Sequence, residues 1–464
     1  MKSFGIPRLA ATAALLLFTA ASGQGIDSLR YKLGQLLIVG IPGETLDTGA
    51  AYDLGAMNVS GVALFAYNVP ERGSVDELSR QIYETATATP FVMIDQEGGV
   101  VARFDEQNGF VESHSAYDLG YLLGSVDSTR AQAARFCDWF EETGINVNLA
   151  PVVDLNLNAS GVIGGLERSY SANPSVVEAH AAAFIEEHRK RGVLTSVKHF
   201  PGHGSARTDS HDGFTDVTEW WLPSELTPFR RLIDRDLIDM TMIGHLYHED
   251  IDSVYPATLS ANFMEGLLRD SLGFEGVAIT DEMFMGAILQ NYDMEDAFAL
   301  AVKGGADIVL TARWEMETKT GETRRVSDVF VDYLEEKVNE GFIPASRVEE
   351  AYRRVTALKE LIGVPRATGV AERVARPETF ALSPNYPNPF NGETRVSVSL
   401  AEPSAIALVV FDALGRERAR LAEGRYPAGE RTFRWKPEGA ASGAYFIRLT
   451  TERGSTVRAA IYLK

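Results

Sequence analysis

Fourteen consecutive residues, Lys198 to His211, read KHFPGHGSARTDSH and gather one lysine, three histidines and an aspartate directly after the apolar run GVLTSV. Asp209 stands two residues before His211, and a carboxylate beside an imidazole orients the ring and favours its protonated form. That pairing suits acid/base work. His199, His203, His211 and Asp209 are also ligand types for zinc. Pro201 and Gly202 nevertheless interrupt HFPGH, so its two histidines cannot share one helix face. No metal or other cofactor is expected, and His203, flanked by glycines, is read as a residue that hydrogen-bonds the loop in place.

A buried strand that ends in a polar loop needs a scaffold presenting many strand ends on one side. From residue 30 to 365 the chain alternates short apolar runs with amphipathic helical stretches, the sequence form of a βα repeat. The strand candidates are GQLLIVGIP, VSGVALFAYN, FVMIDQEGG, INVNLAPVVDLN, VLTSVKHF, IDMTMIGHL, GVAITDEM and ADIVLTA. Eight is the number that closes a TIM barrel, whose chemistry sits at the C-terminal ends of its strands. Helical stretches separate them, among them SVDELSRQIYETA, NPSVVEAHAAAFIEEHRKRG, PSELTPFRRLIDR and SANFMEGLLRDSLG.

Polar residues collect where these runs end. Asp95 precedes the Gly98-Gly99 turn with Arg103 shortly after, and taken alone it reads as a turn residue. Asp154 and Asn156 read as satisfying the backbone of a loop. His245, in MIGHLYHED, stands between lining a pocket and supporting one. Asp281 is the first polar side chain after the apolar run of its strand and so emerges at the barrel mouth, while Glu282 suits a cap on the following helix.

The Lys198–His211 loop resembles the K-H-[FI]-P-G-[HD]-G-x4-D-x-H signature of glycoside hydrolase family 3, in its single-domain β-N-acetylglucosaminidase branch, and the resemblance runs over roughly residues 30 to 365. IDQEGGVVARF is similar to the family's D-Q-E-G-G-R-V-x-R, with Val100 where an Arg is frequent. It implies that Asp95 and Arg103 bind sugar hydroxyls. ERSY resembles I-G-x-R-[SA]-[FY] and implies that Arg168 reaches the substrate; Lys198 and His199 match the pair that holds sugar hydroxyls, and lysine is a multidonor charge suited to that task. TDEM resembles [SI]-[TS]-D-D-x-x-M, which implies that Asp281 is the catalytic nucleophile, with Glu282 replacing a second Asp.

What the resemblance implies is a retaining mechanism. Asp281 attacks the anomeric carbon and His211, held by Asp209, protonates the leaving oxygen and later activates water. The implied substrate carries terminal β-linked GlcNAc, from peptidoglycan fragments or chitin oligosaccharides. The alternatives are a β-glucosidase or β-xylosidase of the same family, a phosphorylase, and, further off, a non-catalytic surface sugar binder. DGFTDV after His211 departs from the Leu-Pro pair common in relatives, in the loop nearest the leaving group.

The ends of the chain read differently from its middle. Residues 1–24 carry Lys2 and Arg8, an apolar run and then small residues, the pattern of a secretory signal peptide; the run of about 13 residues is shorter than the roughly 20 needed to span a membrane. No other segment is read as spanning one. Residues 25–365 form the barrel, 366–380 a polar linker without period, and 381–464 a small all-β sandwich of short alternating strands and Gly-rich turns. NYPNPFN, VVFDALGRE, YPAGE and SGAYFIRL resemble the C-terminal sorting domain of type IX secretion cargo, which implies type IX machinery as a partner, passage through periplasm and outer membrane of a Bacteroidetes-like cell, and a secreted or surface-held protein. Trp435 and Tyr445 are then core residues rather than a sugar platform.

Charge is divided in the same way. The chain of 464 residues carries a formal charge of -20, yet residues 381–464 hold 12 Lys/Arg against 8 Asp/Glu, so the remainder is at -24. An acidic body excludes nucleic acid as a partner on electrostatic grounds. The single cysteine, Cys137, cannot form an internal disulfide and is read as buried.

Overall fold

A computed structural model of the chain describes residues 28–210, 213–366, 380–382, 385, 387–400, 403–412, 416–437, 439–451 and 454–463. The leader read over 1–24, residues 367–379 of the linker, and His211 lie outside the described residues. Two compact units are present, within Met1–Thr368 and Gly369–Lys464. Among the described residues no helix is long and apolar enough to cross a membrane.

The first unit is an eight-stranded parallel sheet: β1 (Leu37–Gly40), β2 (Gly61–Leu64), β3 (Phe91–Ile94), β4 (Val147–Asn148), β5 (Leu194–Phe200), β6 (Met240–Ile243), β7 (Val277–Thr280) and β8 (Val309–Leu310). Neighbours pair in sequence order, and β8 pairs back onto β1 through Leu37 opposite Val309. A parallel bridge between Ile279 and Ile308 joins β7 to β8 and closes the ring. All eight sequence runs thus became barrel strands. The fourth is shorter than its run because Pro151 has no N–H for the ladder, and the chain rejoins β5 only at the bridge between Val152 and Lys198.

Helices cover the outside where local signals place them. Pro174–Lys190 opens with the Asn173 side chain accepting the Ser175 N–H and with proline in the first turn; Val126–Thr143 ends at Gly144, whose φ of 75° is easy only for glycine. Leu226–Asp234 buries Leu226, Phe229, Leu232 and Ile233, a single face at helical spacing, and Phe229 meets Phe200 of β5 edge to face. Burial fixes β5 from outside as well as inside. Asn262–Ser271, read as an ordinary helix, has the wider i to i+5 turn. Cys137 is buried in the Val126–Thr143 helix, where burial pushes its thiol pKa up.

The second unit is all β. β9 (Phe380–Leu382), β10 (Thr394–Leu400) and β13 (Gly429–Trp435) form one antiparallel sheet; β11 (Ser404–Asp412), β12 (Glu417–Tyr426), β14 (Gly443–Thr451) and β15 (Gly454–Tyr462) form the other. Both contribute to one apolar core. Trp435 and Tyr445 are buried in it with ring centroids 5.1 Å apart, and Phe390 of NYPNPFN contacts Trp435 and Tyr462, each at 5.3 Å. The architecture is therefore α/β barrel followed by β-sheet unit, as the periodicities required.

Candidate active site

The ends of β3 and β5 and the loop after β4 bring five charges together. Lys198, in β5, donates to Asp95 at 2.7 Å, and its ammonium lies 2.7 Å from Glu97. Arg168, on the loop after β4, grips Glu97 with Nε at 2.9 Å and Nη2 at 2.8 Å. Arg103 Nη2 lies 3.4 Å from Asp95. Asp95 and Glu97 are two apart on extended chain, so both reach Lys198, while Gln96 between them turns away and accepts the Arg103 and Phe104 N–H groups.

Burial would raise the pKa of Asp95 and of Glu97, yet the neighbouring cations outweigh it. Lys198 with Arg103 holds the first carboxyl below its ordinary value, and Arg168 with Lys198 does the same for the second. Burial alone would lower Lys198; Asp95 and Glu97 raise it instead. The opposite charges thus favour the ionised forms of Asp95, Glu97 and Lys198, with Asp95 and Arg103 retaining some solvent access. The free edges of the cluster can receive and donate hydrogen bonds to a ring of hydroxyls.

His199 follows with a fixed tautomer. Arginine only donates, so the 3.3 Å contact between Arg168 Nη2 and His199 Nε2 makes Nε2 the acceptor, and Nδ1–H then donates to Asp154 at 2.7 Å. The single ring N–H is spent on Asp154, so the donors left in this cluster are those of Lys198 and the arginines. Asp154 also accepts the main-chain N–H of His199 and, at 2.8 Å, of His203. Burial works against its ionisation, but His199 and His203 keep its pKa low. A loop residue in the sequence reading, it is the post on which the whole Lys198–His203 turn hangs.

The rest of the loop is held by groups that sequence reasoning missed. Gly202 has φ of 123°, and a Cβ on Gly204 would stand 1.8 Å from the Leu155 carbonyl oxygen, so the P-G-H-G run is a demand for close approach. Glu225, buried just before the Leu226–Asp234 helix, accepts the Gly204 N–H, the Ser205 N–H, the Ser205 hydroxyl at 2.6 Å and the Leu222 N–H. Burial pushes its pKa up to about 7. His203 lies beside Ser210 Oγ at 3.4 Å, and desolvation lowers it to about 4. Glu97 was not singled out by the sequence reading, although a charge two residues from Asp95 on extended chain is a signal that could have found it; Glu225 carried no sequence signal.

Asp281 leaves β7 with its N–H on the Ile243 carbonyl, one step further along the ladder, and its Oδ1 accepts the Glu282 N–H at 2.8 Å. Glu282 Oε1 accepts the Phe284 and Ala312 N–H groups, tying this turn to the end of β8, and burial raises its pKa. His245 is 1% exposed, with Nε2 on the Glu282 carbonyl at 2.9 Å and Nδ1 on Thr258 at 2.7 Å. It supports the turn carrying Asp281 and does not line the cavity described below. One bond spans the two loops: the Ala287 N–H donates to the Ser210 carbonyl at 3.1 Å. The Asp209-Ser210 segment is thereby anchored six residues past Asp281.

Beside that segment lies a cavity of about 650 Å³, walled by Ser160, Gly161, Val162 and Leu166 of the loop after β4 and by Arg207, Thr208, Asp209 and Phe214 of the loop after β5. Among the described residues no group of three or more His, Cys, Asp and Glu is placed to hold a metal.

The family profile described as glycosyl hydrolase family 3 N terminal domain matches residues 28–358. A β-hexosaminidase of Thioalkalivibrio sulfidiphilus is 35% identical over 260 residues, covering 54% of this chain and 72% of that protein. Beta-hexosaminidase A of Pseudoalteromonas piscicida is 32% identical over 291 residues, and the match spans about half, 48%, of its length. A glycoside hydrolase family 3 β-N-acetylglucosaminidase from a Paenibacillus species superposes with a TM-score of 0.65 at 31% identity, over 74% of this chain and 64% of that one. A β-N-acetylhexosaminidase from Beutenbergia cavernae gives 0.64 at 28%, over 72% and 98%.

Proposed function

The chain belongs to glycosyl hydrolase family 3, and from that premise we propose that it is a retaining exo-β-N-acetylglucosaminidase that removes terminal β-linked GlcNAc from peptidoglycan fragments or chitin oligosaccharides. The observation that carries the reading is the Ser210–Ala287 bond, which ties the segment bearing Asp209 to the turn bearing Asp281 in a barrel whose strand ends also hold a charged, hydroxyl-matching cluster. In this reading Asp95, Arg103, Lys198, Arg168 and His199 form the subsite of the non-reducing sugar, with the His199 ring holding Arg168 in place. Asp281 attacks C1 and forms the glycosyl-enzyme as His211 gives its proton to the leaving oxygen; His211, oriented by Asp209, then takes a proton from water, which releases the sugar with retained configuration.

The test is hydrolysis of aryl β-GlcNAc, β-glucoside and β-xyloside by the 464-residue chain and its variants. Asp281→Asn lowers kcat/KM on the GlcNAc substrate by at least about 10⁴-fold. His211→Ala spares substrates with good leaving groups and loses those with poor ones. Activity confined to the other glycosides sinks the substrate class, and product forming only with phosphate present replaces hydrolase by phosphorylase.

Export belongs to the same proposal. The leader pattern in residues 1–24 and the sorting-domain resemblance of residues 381–464 support passage through the periplasm and the type IX machinery to a secreted or surface location. Removal of residues 381–464 then retains the protein in the periplasm of a Bacteroidetes-like host; secretion undiminished by the deletion overturns it.

A further inference from the structure

We propose that the cavity beside Asp209 is a leaving-group subsite for a sugar that carries a carboxylate, with Arg207 as its specificity-determining residue. The inference rests on the GlcNAc-releasing reading and deepens it. An acid that protonates a leaving oxygen must adjoin the leaving group, and Asp209, of the acid/base set, lines this cavity. The remainder of the departing saccharide has its space there. About 650 Å³ falls within the ~300–1,000 Å³ of small-ligand sites.

The site is built rather than left over. Asn158 reaches across from the loop after β4, its main-chain N–H on the Gly204 carbonyl at 3.0 Å and its side-chain amide on the Ala206 carbonyl at 2.8 Å. These bonds fix the main chain immediately before Arg207. A Cβ on Gly161 would come within 2.9 Å of the same Ala206 carbonyl, so the two loops meet closely at the cavity wall. Phe214, which contacts Tyr247 at 5.1 Å, faces the opening with Val162 and Leu166 and offers an apolar wall to the carbon face of a sugar.

The charge on Arg207 is what selects the ligand. Its guanidinium carbon lies 3.2 Å from the centroid of the Trp220 ring, and among the described residues it has no carboxylate partner. Arg103 and Arg168 are by contrast both paired with carboxylates. A guanidinium stacked on an aromatic face keeps its N–H edge free and pre-oriented, the geometry that takes a carboxylate by two parallel hydrogen bonds. Asp209, the carboxylate among the lining residues, is already engaged. A neutral chitin unit makes no use of this cation; a sugar with an acidic substituent, such as the lactyl ether of a muramic acid residue, does.

The experiment compares GlcNAc β-linked to N-acetylmuramic acid with the same disaccharide as its lactyl carboxamide, which keeps shape and removes charge. Each kcat/KM is measured for the wild-type chain and Arg207→Gln and normalised to aryl β-GlcNAc. The acid exceeds the amide by roughly 10- to 100-fold in the wild type, through KM, and the ratio collapses toward one in the variant. Trp220→Leu, which removes the ring and leaves the charge, lowers the ratio partway. Equal use of acid and amide by the wild type, or a ratio unchanged in Arg207→Gln, overturns the subsite. If aryl β-GlcNAc is not cleaved at all, the GlcNAc reading fails first. Binding of free N-acetylmuramic acid, followed by calorimetry in both proteins, then decides the subsite separately, with loss in Arg207→Gln supporting it and equal or absent binding refuting it.

Discussion

Lys198 and Glu225 are both buried ionisable groups serving the same loop, and their surroundings treat them in opposite ways. Lys198 faces two carboxylates, and their attraction exceeds the cost of burial, so its charged form is favoured. Glu225 faces three N–H groups and a hydroxyl but no cation, and burial prevails, raising it to about 7. Full opposite charges at 2.7 Å hold a group ionised inside the protein, whereas partial charges offset desolvation only in part. The half of the site proposed to hold the sugar is thus fixed by salt bridges, and the half carrying the proposed acid by main-chain dipoles.

The strongest way to break the contrast is Lys198→Met, which strands Asp95 and Glu97 without their shared cation. Removing one partner from a buried ion cluster costs about 3–5 kcal/mol. Urea denaturation of the variant reads it directly, and a loss below about 1 kcal/mol would mean that the cluster is not desolvated.

Glu225→Gln comes next. The amide nitrogen cannot accept, so one pair of bonds to the Gly204–Ser205 turn or Leu222 is lost, at about 1–3 kcal/mol. The pH dependence sharpens the point. A carboxyl whose folded pKa is raised from 4.5 to about 7 contributes stability that is fully present below 4.5 and lost as pH rises through about 7. The wild type therefore loses stability from this group across that window, and the variant has a flatter profile there; superimposable profiles would remove Glu225 from the titrating groups. If the loop carries the proposed acid, kcat in the variant falls more for poor leaving groups than for good ones, with KM little changed.

The smallest effect isolates geometry from charge. Glu282 ties its turn through one oxygen, Oε1, which accepts both the Phe284 and Ala312 N–H groups. Glu282→Gln keeps that oxygen and costs below about 1 kcal/mol, while Glu282→Ala leaves two buried donors unpaired and costs about 1–3 kcal/mol in thermal unfolding. Equal losses in the two variants would show that charge matters there after all.

Much of the scaffold was legible because it is local. Apolar runs such as FVMI and VAIT, with caps such as Asn173-Pro174 and Gly144, are written in short windows of sequence. A polar residue directly after a buried run, as at Asp95 and Asp281, must emerge where its strand ends. The charged residues that meet at the strand ends were therefore legible as candidates from strand ends and motif spacing. The supporting residues were not: Glu225 lies 21 positions from Gly204 and Asp154 lies 45 from His199, and neither spacing has a period that a helix or strand would impose.

The sequence alone determined which residues could be ionised at the mouth of an eight-stranded barrel, because strand periodicity and chain order decide which side chains leave the sheet at its C-terminal ends. The tertiary structure decided which of them are paired. Lys198 acquired two carboxylates, His199 gave up its only N–H to Asp154, His245 was turned to hold the Glu282 carbonyl, and Arg207 was stacked on the Trp220 ring with no anion beside it among the described residues. Pairing depends on distances between strands and loops that meet only when the barrel closes, and electrostatic energy falls off with those distances rather than with separation along the chain.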